Sequence, residues 1–192
     1  MKNRWMGSVM ACCLLLCSTA CADGANKTSV EQAGDFLQLM IPSYALGMTV
    51  NEHGSAVDSE GVEQLGRSML GTLLMVQSLK QTTQQKRPDH DSGDRRDSFP
   101  SGHTASAFAG AAFIHRRYGF SQAAVPYALA SFVGYSRLSA DEHHPRDVAV
   151  GALIAGFSAW LVVDERRQTV DCASMVTDVG VDWVKVSCSL RF

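Results

Sequence analysis

Leu65, Met69, Leu73, Val76 and Leu79 recur at intervals of three and four residues. That spacing lays one apolar stripe along an α-helix and would scatter over both faces of a strand, so it commits the segment to helix. The helix is predicted over residues 62–86, because Pro88 disfavours helical backbone at Arg87. Ser29, with Gln32 three residues on, makes a capping-box pattern ahead of an apolar run. It predicts a helix over 30–50, bent at Pro42. An Ala- and Gly-rich stretch predicts a helix over 101–114, whose small residues permit close packing. Another is predicted over 121–135. Pro145 suits the first turn of a fifth, over 145–163. The run from Val148 to Val163 is the most apolar of these, but its 16 residues fall short of the ~20 that a spanning helix needs. It is expected to be a central core helix, with Phe157 and Trp160 inside. The polar segments 51–61 and 89–98 read as loops. The expected fold is all-α, a compact bundle of about five helices, with one or two short strands where Val179, Val181 and Trp183 alternate in the tail.

Composition narrows the function classes. Hydrophobic residues are 46% and charged residues 19% of the chain, which excludes disorder. A formal net charge of −2 leaves no basic stripe for nucleic acid. Mean hydropathy near zero argues against a protein built mostly of membrane-spanning helices. Lys2 and Arg4, the apolar stretch from Trp5 to Cys17 and the small-x-small pattern Ala20-Cys21-Ala22 together read as an export signal cleaved before Asp23. The alternative is lipidation of Cys21, which would anchor the protein to a membrane. Of the 17 Lys and Arg residues two leave with the signal, so 15 remain against 19 acidic residues, a formal −4. Cys172 and Cys188 are the cysteines left, and an even pair in an oxidising compartment predicts a disulfide. On the chain-entropy model it would contribute ~3 kcal/mol. The expected organisation is a signal peptide at 1–22, a helical domain at 23–167 and a tail at 168–192.

Three clusters carry the chemistry. Lys80 and Arg87 stand seven residues apart, two helical turns, so they project from nearly one face and can hold an anion. Pro100-Ser101-Gly102-His103 opens a helix. Free backbone N–H groups and the positive end of the helix dipole can cradle a phosphate there, and His103 can move a proton beside it. In the third cluster Arg137 offers a planar fork that fits phosphate oxygens in pairs. Asp147, four residues after His143, can accept the Nδ1 proton of His143 and leave Nε2 free as a nucleophile. His143 and His144 with Asp141, Glu142 and Asp147 could also be taken for a metal patch, but HExxH and Cys-x-x-Cys spacings are absent. Arg116-Arg117 and Arg166-Arg167 end predicted helices and read as complements to their dipoles.

In order, the clusters are Lys80-x6-Arg87-Pro88, Pro100-Ser101-Gly102-His103 and Ser136-Arg137-x5-His143-x3-Asp147. So arranged, the sequence resembles the type 2 phosphatidic acid phosphatase family, which shares a fold and site with bacterial acid phosphatases and vanadium-dependent haloperoxidases. The motifs span 80–147 and the helical likeness extends over roughly 30–165. The resemblance implies that Lys80, Arg87, Arg137, Ser101 and the Gly102 N–H bind phosphoryl oxygens. It implies that His143 attacks phosphorus to form a phosphohistidine, that Asp147 orients His143, and that His103 protonates the leaving oxygen. No metal or other cofactor is implied, since three cations and a helix N-terminus supply the charge that divalent ions supply elsewhere. The expected partner is a phosphorylated lipid or a small phosphate ester, met on the outer side of the cytoplasmic membrane. Two alternatives stand beside this: a haloperoxidase binding vanadate at the same residues, and a non-catalytic envelope protein that holds anionic headgroups.

Overall fold

The computed structural model describes residues 28–50, 57–88 and 96–165. The signal peptide, Cys21, the Cys172–Cys188 pair and the strands expected in the tail all lie outside the described residues. Within them the chain is all-α: α1 (Ser29–Val50), α2 (Ser59–Thr83), α3 (Gly102–Tyr118), α4 (Phe120–Ser139) and α5 (Pro145–Val162).

The helix ends have local causes. Helix α2 starts earlier than expected because Asp58 caps it, accepting from the Gly61 N–H at 3.0 Å. It stops before the segment constrained by Pro88, because Gln84 adopts a left-handed conformation at φ 44° and its N–H closes on the Lys80 carbonyl. Ser101 caps α3, which runs a full turn beyond its expected end to Gly119. In α1, Pro42 has no N–H to give the Gln38 carbonyl one turn back. Ser106 Oγ of α3 donates to that carbonyl at 3.3 Å, so the proline's defect becomes an inter-helix contact.

Helix α3 is the axis of the bundle and packs against each of the other four. Its small residues make this possible. Ala105, Ala107, Ala109, Ala111 and Ala112 are buried, together with Phe113 and Ile114. At Gly110 a β-carbon would fall 2.8 Å from the Pro42 nitrogen, so only glycine lets α1 approach so closely. Two apolar clusters hold the bundle. Phe113 and Ile114 pack with Ala45, Leu65, Ala123, Ala159 and Val163. Ile41 and Val133 pack with Ala107, Ala111 and Ala130.

The faces are not as the sequence suggested. Leu73 is 55% exposed, although its spacing placed it on the buried stripe of α2. That helix instead turns Gln64, Leu65, Ser68, Thr72 and Val76 inward. Nor is α5 the central helix: Phe157 and Trp160 are 51% and 63% exposed, and α3 takes the centre. The physical reason is that α3 already fills the axis with its own Ala, Gly, Phe113 and Ile114, which leaves the large side chains of α5 outside. Leu39, Tyr44, Leu70, Leu74, Val125, Leu153 and Leu161 join them on the exterior. So many large apolar groups outside an apolar core make the exterior unusually apolar for a water-soluble bundle. Helix α5 is long and apolar enough to cross a membrane, with a third of that stretch buried.

Arg117 lies in the last turn of α3, as expected of a complement to its dipole, and does more than that. It is buried, bonds Asp58 through Nε at 3.0 Å and Gln64 through Nη1 at 3.1 Å. Gln64 Oε1 accepts the Asp164 N–H at 3.1 Å as well. This network pins the start of α2 and the ends of α3 and α5, at the end of the bundle opposite the N-terminus of α3.

Candidate active site

The C-terminal ends of α2 and α4 meet the N-terminal ends of α1, α3 and α5 at one end of the bundle. Up–down helix order brings together there residues that lie far apart in the chain. Ser101 is fully buried and spends its hydroxyl on the cap, 3.0 Å from Thr104 Oγ1 and 3.5 Å from the Thr104 N–H. The helix geometry leaves the Gly102 and His103 N–H groups without an intrahelical acceptor. A β-carbon on Gly102 would lie 4.0 Å from Lys80 Cε, so the α3 N-terminus and the Lys80 stem are neighbours. At Gly151 a β-carbon would stand 2.6 Å from the Ser101 carbonyl, so this glycine seats α5 on the α3 cap.

Each cation is braced by oxygen. Lys80 Nζ donates to the Asp97 carbonyl. Arg87 grips the Asp97 carboxylate with two parallel bonds, Nε to Oδ1 at 2.9 Å and Nη2 to Oδ2 at 3.0 Å, and its Nη1 pairs with Glu142. Arg137 is 1% exposed. Its Nη1 pairs with Asp35 Oδ1 at 3.0 Å, its Nη2 donates to the Glu31 carbonyl at 2.9 Å, and its Nε donates to Ser136 Oγ at 3.2 Å. Fixed in this way, the guanidinium and ammonium groups need little reorganisation to meet an anion.

His143 lies in the turn between α4 and α5 and is 4% exposed. Burial, with Arg87 and Lys80 close by, holds its pKa down at about 4 against the ordinary 6.5; Asp147 pulls the other way and His103 adds a further positive influence. The imidazole is therefore neutral at pH 7, the form a nucleophile requires. Its Nδ1 stands 3.8 Å from Asp147 Oδ2, an ion-pair distance rather than a hydrogen bond. Asp147 Oδ2 accepts instead from Ser98 Oγ at 2.6 Å and from the His144 N–H at 3.0 Å. The Asp147 carbonyl accepts the Ser101 N–H at 3.0 Å, which ties the start of α5 to the α3 cap. His103 is 37% exposed, with Nε2 3.4 Å from Asp35 Oδ1.

The structure thus gathers Lys80, Arg87, Ser101, Gly102, His103, Arg137, His143 and Asp147 at one end of the bundle. The motifs missed Asp35, Asp97, Ser98 and Glu142. Asp35 had a signal: Glu31 and Asp35 sit four apart on an otherwise apolar helix, where charge calls for a partner. Among the described residues no three His, Cys, Asp or Glu side chains converge in a metal-ligating arrangement.

Fold and site together define a class: all-helical proteins in which a lysine, two arginines and a helix N-terminus surround a pair of histidines. The PAP2 superfamily model matches residues 62–168, and the chain belongs to that superfamily. Among curated proteins it is 37% identical over 106 residues to a lipid A 1-phosphatase from Porphyromonas gingivalis, covering 52% of this chain and 23% of that one. It is 42% identical over 62 residues to a lipid A 4'-phosphatase from Helicobacter pylori, covering 32% and 31%. A probable diacylglycerol pyrophosphate phosphatase 1 from Schizosaccharomyces pombe is 38% identical over 80 residues, covering 34% and 28%. The matches thus span less than a third of each relative's length. Among solved structures, the crystal structure of Aquifex aeolicus LpxE superposes with a TM-score of 0.56 at 25% identity, over 72% of this chain and 87% of that one.

Proposed function

We propose that this protein is an exported phosphatase that removes phosphate from a lipid-linked monoester or diphosphate without a metal ion. The observation that carries the reading is His143, buried and neutral beside Asp147, with Lys80 and Arg87 close enough to hold its pKa down. The same cations that disfavour a charged imidazole favour a phosphoryl group next to it. Lys80, Arg87 and Arg137 neutralise the phosphoryl oxygens, and the Gly102 and His103 N–H groups receive them at the α3 dipole. Ser101 fixes that turn. His143 Nε2 attacks phosphorus in line, the bond from phosphorus to the lipid oxygen breaks, and His103 gives that oxygen a proton. Asp147 steadies the positive charge that grows on His143. Water, losing its proton to His103, then attacks the phosphohistidine and frees inorganic phosphate, returning both histidines to their starting forms.

The lipid substrate class is supported by the three relatives, whose names are those of phosphatases of lipid A and of diacylglycerol pyrophosphate. The outward-facing apolar side chains and the apolar α5 favour a bundle seated in a bilayer, its site at the end where headgroups lie. With residues 1–22 acting as the export signal, that end meets the outer face of the cytoplasmic membrane.

The test is phosphate release from a panel of lipid monophosphates, lipid diphosphates and soluble esters, with EDTA present. Lipid substrates are expected to turn over fastest, and EDTA to have no effect. His143→Ala is expected to bind lipid phosphate yet lose turnover by ~10³-fold or more. Equal hydrolysis by this variant and the unaltered protein refutes the mechanism.

A further inference from the structure

We infer that Asp35 is a positioning residue that aligns the proton-transferring His103 and the phosphate-binding Arg137 with a single carboxylate oxygen. The inference deepens the phosphatase reading and rests on it for the roles of those two partners. Its physical basis is separate. Helix α1 lies outside the residues matched by the superfamily model, and the three motifs span 80–147, so neither assigns any α1 residue a task. Yet Asp35 Oδ1 stands 3.0 Å from Arg137 Nη1 and 3.4 Å from His103 Nε2. One turn earlier the Glu31 carbonyl holds Arg137 Nη2 at 2.9 Å. The first two turns of α1 therefore form a rack against the ends of α3 and α4.

The packing explains how a carboxylate reaches both. At Gly34 a β-carbon would fall 1.9 Å from Ser136 Oγ, so α1 and α4 touch through glycine and serine beside Arg137. Any larger residue at 34 would push Asp35 out of reach. Arg137 is almost wholly buried, and a buried guanidinium needs a counter-charge to stay there. Asp35 supplies that charge without covering the site, because the Asp35 and His103 side chains remain 21% and 37% exposed.

The geometry also distinguishes the two nitrogens of His103. Nε2 is the ring nitrogen beside Asp35, at ion-pair distance and short of a hydrogen bond, so the carboxylate favours a proton there and Nδ1 is the nitrogen left for the substrate. In the forward step Nδ1–H passes its proton to the leaving oxygen as the phosphorus–oxygen bond breaks. The ring is then neutral and keeps its proton on Nε2 against Asp35. In the second step Nδ1 takes a proton from the attacking water, and the ring regains its first state. Asp35 exchanges no proton in either step. It fixes the ring plane.

The test uses the full-length protein in detergent or nanodiscs with histidine-selective 15N labelling, alongside kinetics on an aryl and an alkyl phosphate. The ring of His103, in its neutral form, is expected to carry its proton on Nε2. A ring protonated on Nδ1 overturns the inference without any variant. Asp35→Ala is expected to abolish that preference. It should lower kcat on the alkyl phosphate by ~10²-fold and on the aryl phosphate, whose leaving group needs no acid, by ~10-fold or less. It should also raise KM, because Arg137 loses its brace. Asp35→Asn, which keeps an acceptor oxygen where Oδ1 stands but not the charge that Arg137 needs, is expected to restore the tautomer and the ratio of alkyl to aryl rates while KM stays raised. Equal losses on both substrates, an unchanged ring signature in Asp35→Ala, or no recovery of the ring signature in Asp35→Asn would each overturn it. If the unaltered protein hydrolyses no phosphate in the panel, the phosphatase reading fails, while the ring signature still decides whether Asp35 holds His103.

Discussion

Protonating His143 is the perturbation that most directly probes the site. Its folded pKa near 4 lies 2.5 below the ordinary 6.5. At 1.36 kcal/mol per unit, charging that buried ring costs about 3 kcal/mol more than charging it in water. The sign follows from where the proton binds. Between pH 6.5 and 4 the unfolded chain takes up the proton and the folded chain does not. The stability this ring contributes is therefore complete above about 6.5 and is lost as pH falls through that window toward 4. The same shift keeps the nucleophile neutral in mildly acidic medium. The expected observations are two. In 15N spectra His143 titrates near 4, and after correction for substrate ionisation kcat/KM loses its His143-dependent activity only as pH approaches that value. Lys80→Met removes one repelling charge, so the His143 midpoint should rise. It should stop short of 6.5, because burial is the larger cause and remains. A His143 that titrates at its ordinary value, or a midpoint that falls in Lys80→Met, would refute the reasoning.

Three further variants test how the fold presents the site. Gly151→Val puts a β-carbon 2.6 Å from the Ser101 carbonyl, so α5 must move off the α3 cap, at a cost of about 1–3 kcal/mol and with loss of turnover. Gly156→Ala, where nothing lies within 4 Å, should leave kcat unchanged and raise the unfolding midpoint slightly, since Ala is the better helix former by about 0.5–1 kcal/mol. Arg117→Met strips Asp58 and Gln64 of their buried partner and should cost about 3 kcal/mol in thermal unfolding, while KM and the pH profile hold, because the network sits at the far end of the bundle.

What was legible in the sequence follows from the range of the forces involved. Helices are specified by neighbours three and four residues apart, so all five could be read, but their ends were less legible: caps at Asp58 and Gln84 shifted α2, and α3 and α4 each run about a turn past their expected ends. The eight motif residues were legible because loops and helix ends fix them within short stretches of chain. Sidedness was not. An apolar stripe says that a helix has two faces and not which medium each one meets. Leu73, Phe157 and Trp160 were therefore placed inside, although α3 already fills the axis with its own Ala, Gly, Phe113 and Ile114. Asp35 was harder still. Its partners lie about 70 and 100 residues away in sequence, and they meet it only because Gly34 and Ser136 let two helices touch. A glycine and a serine leave no periodic trace. The residue that braces the site was thus encoded by the absence of side chains around it, which only the assembled bundle displays.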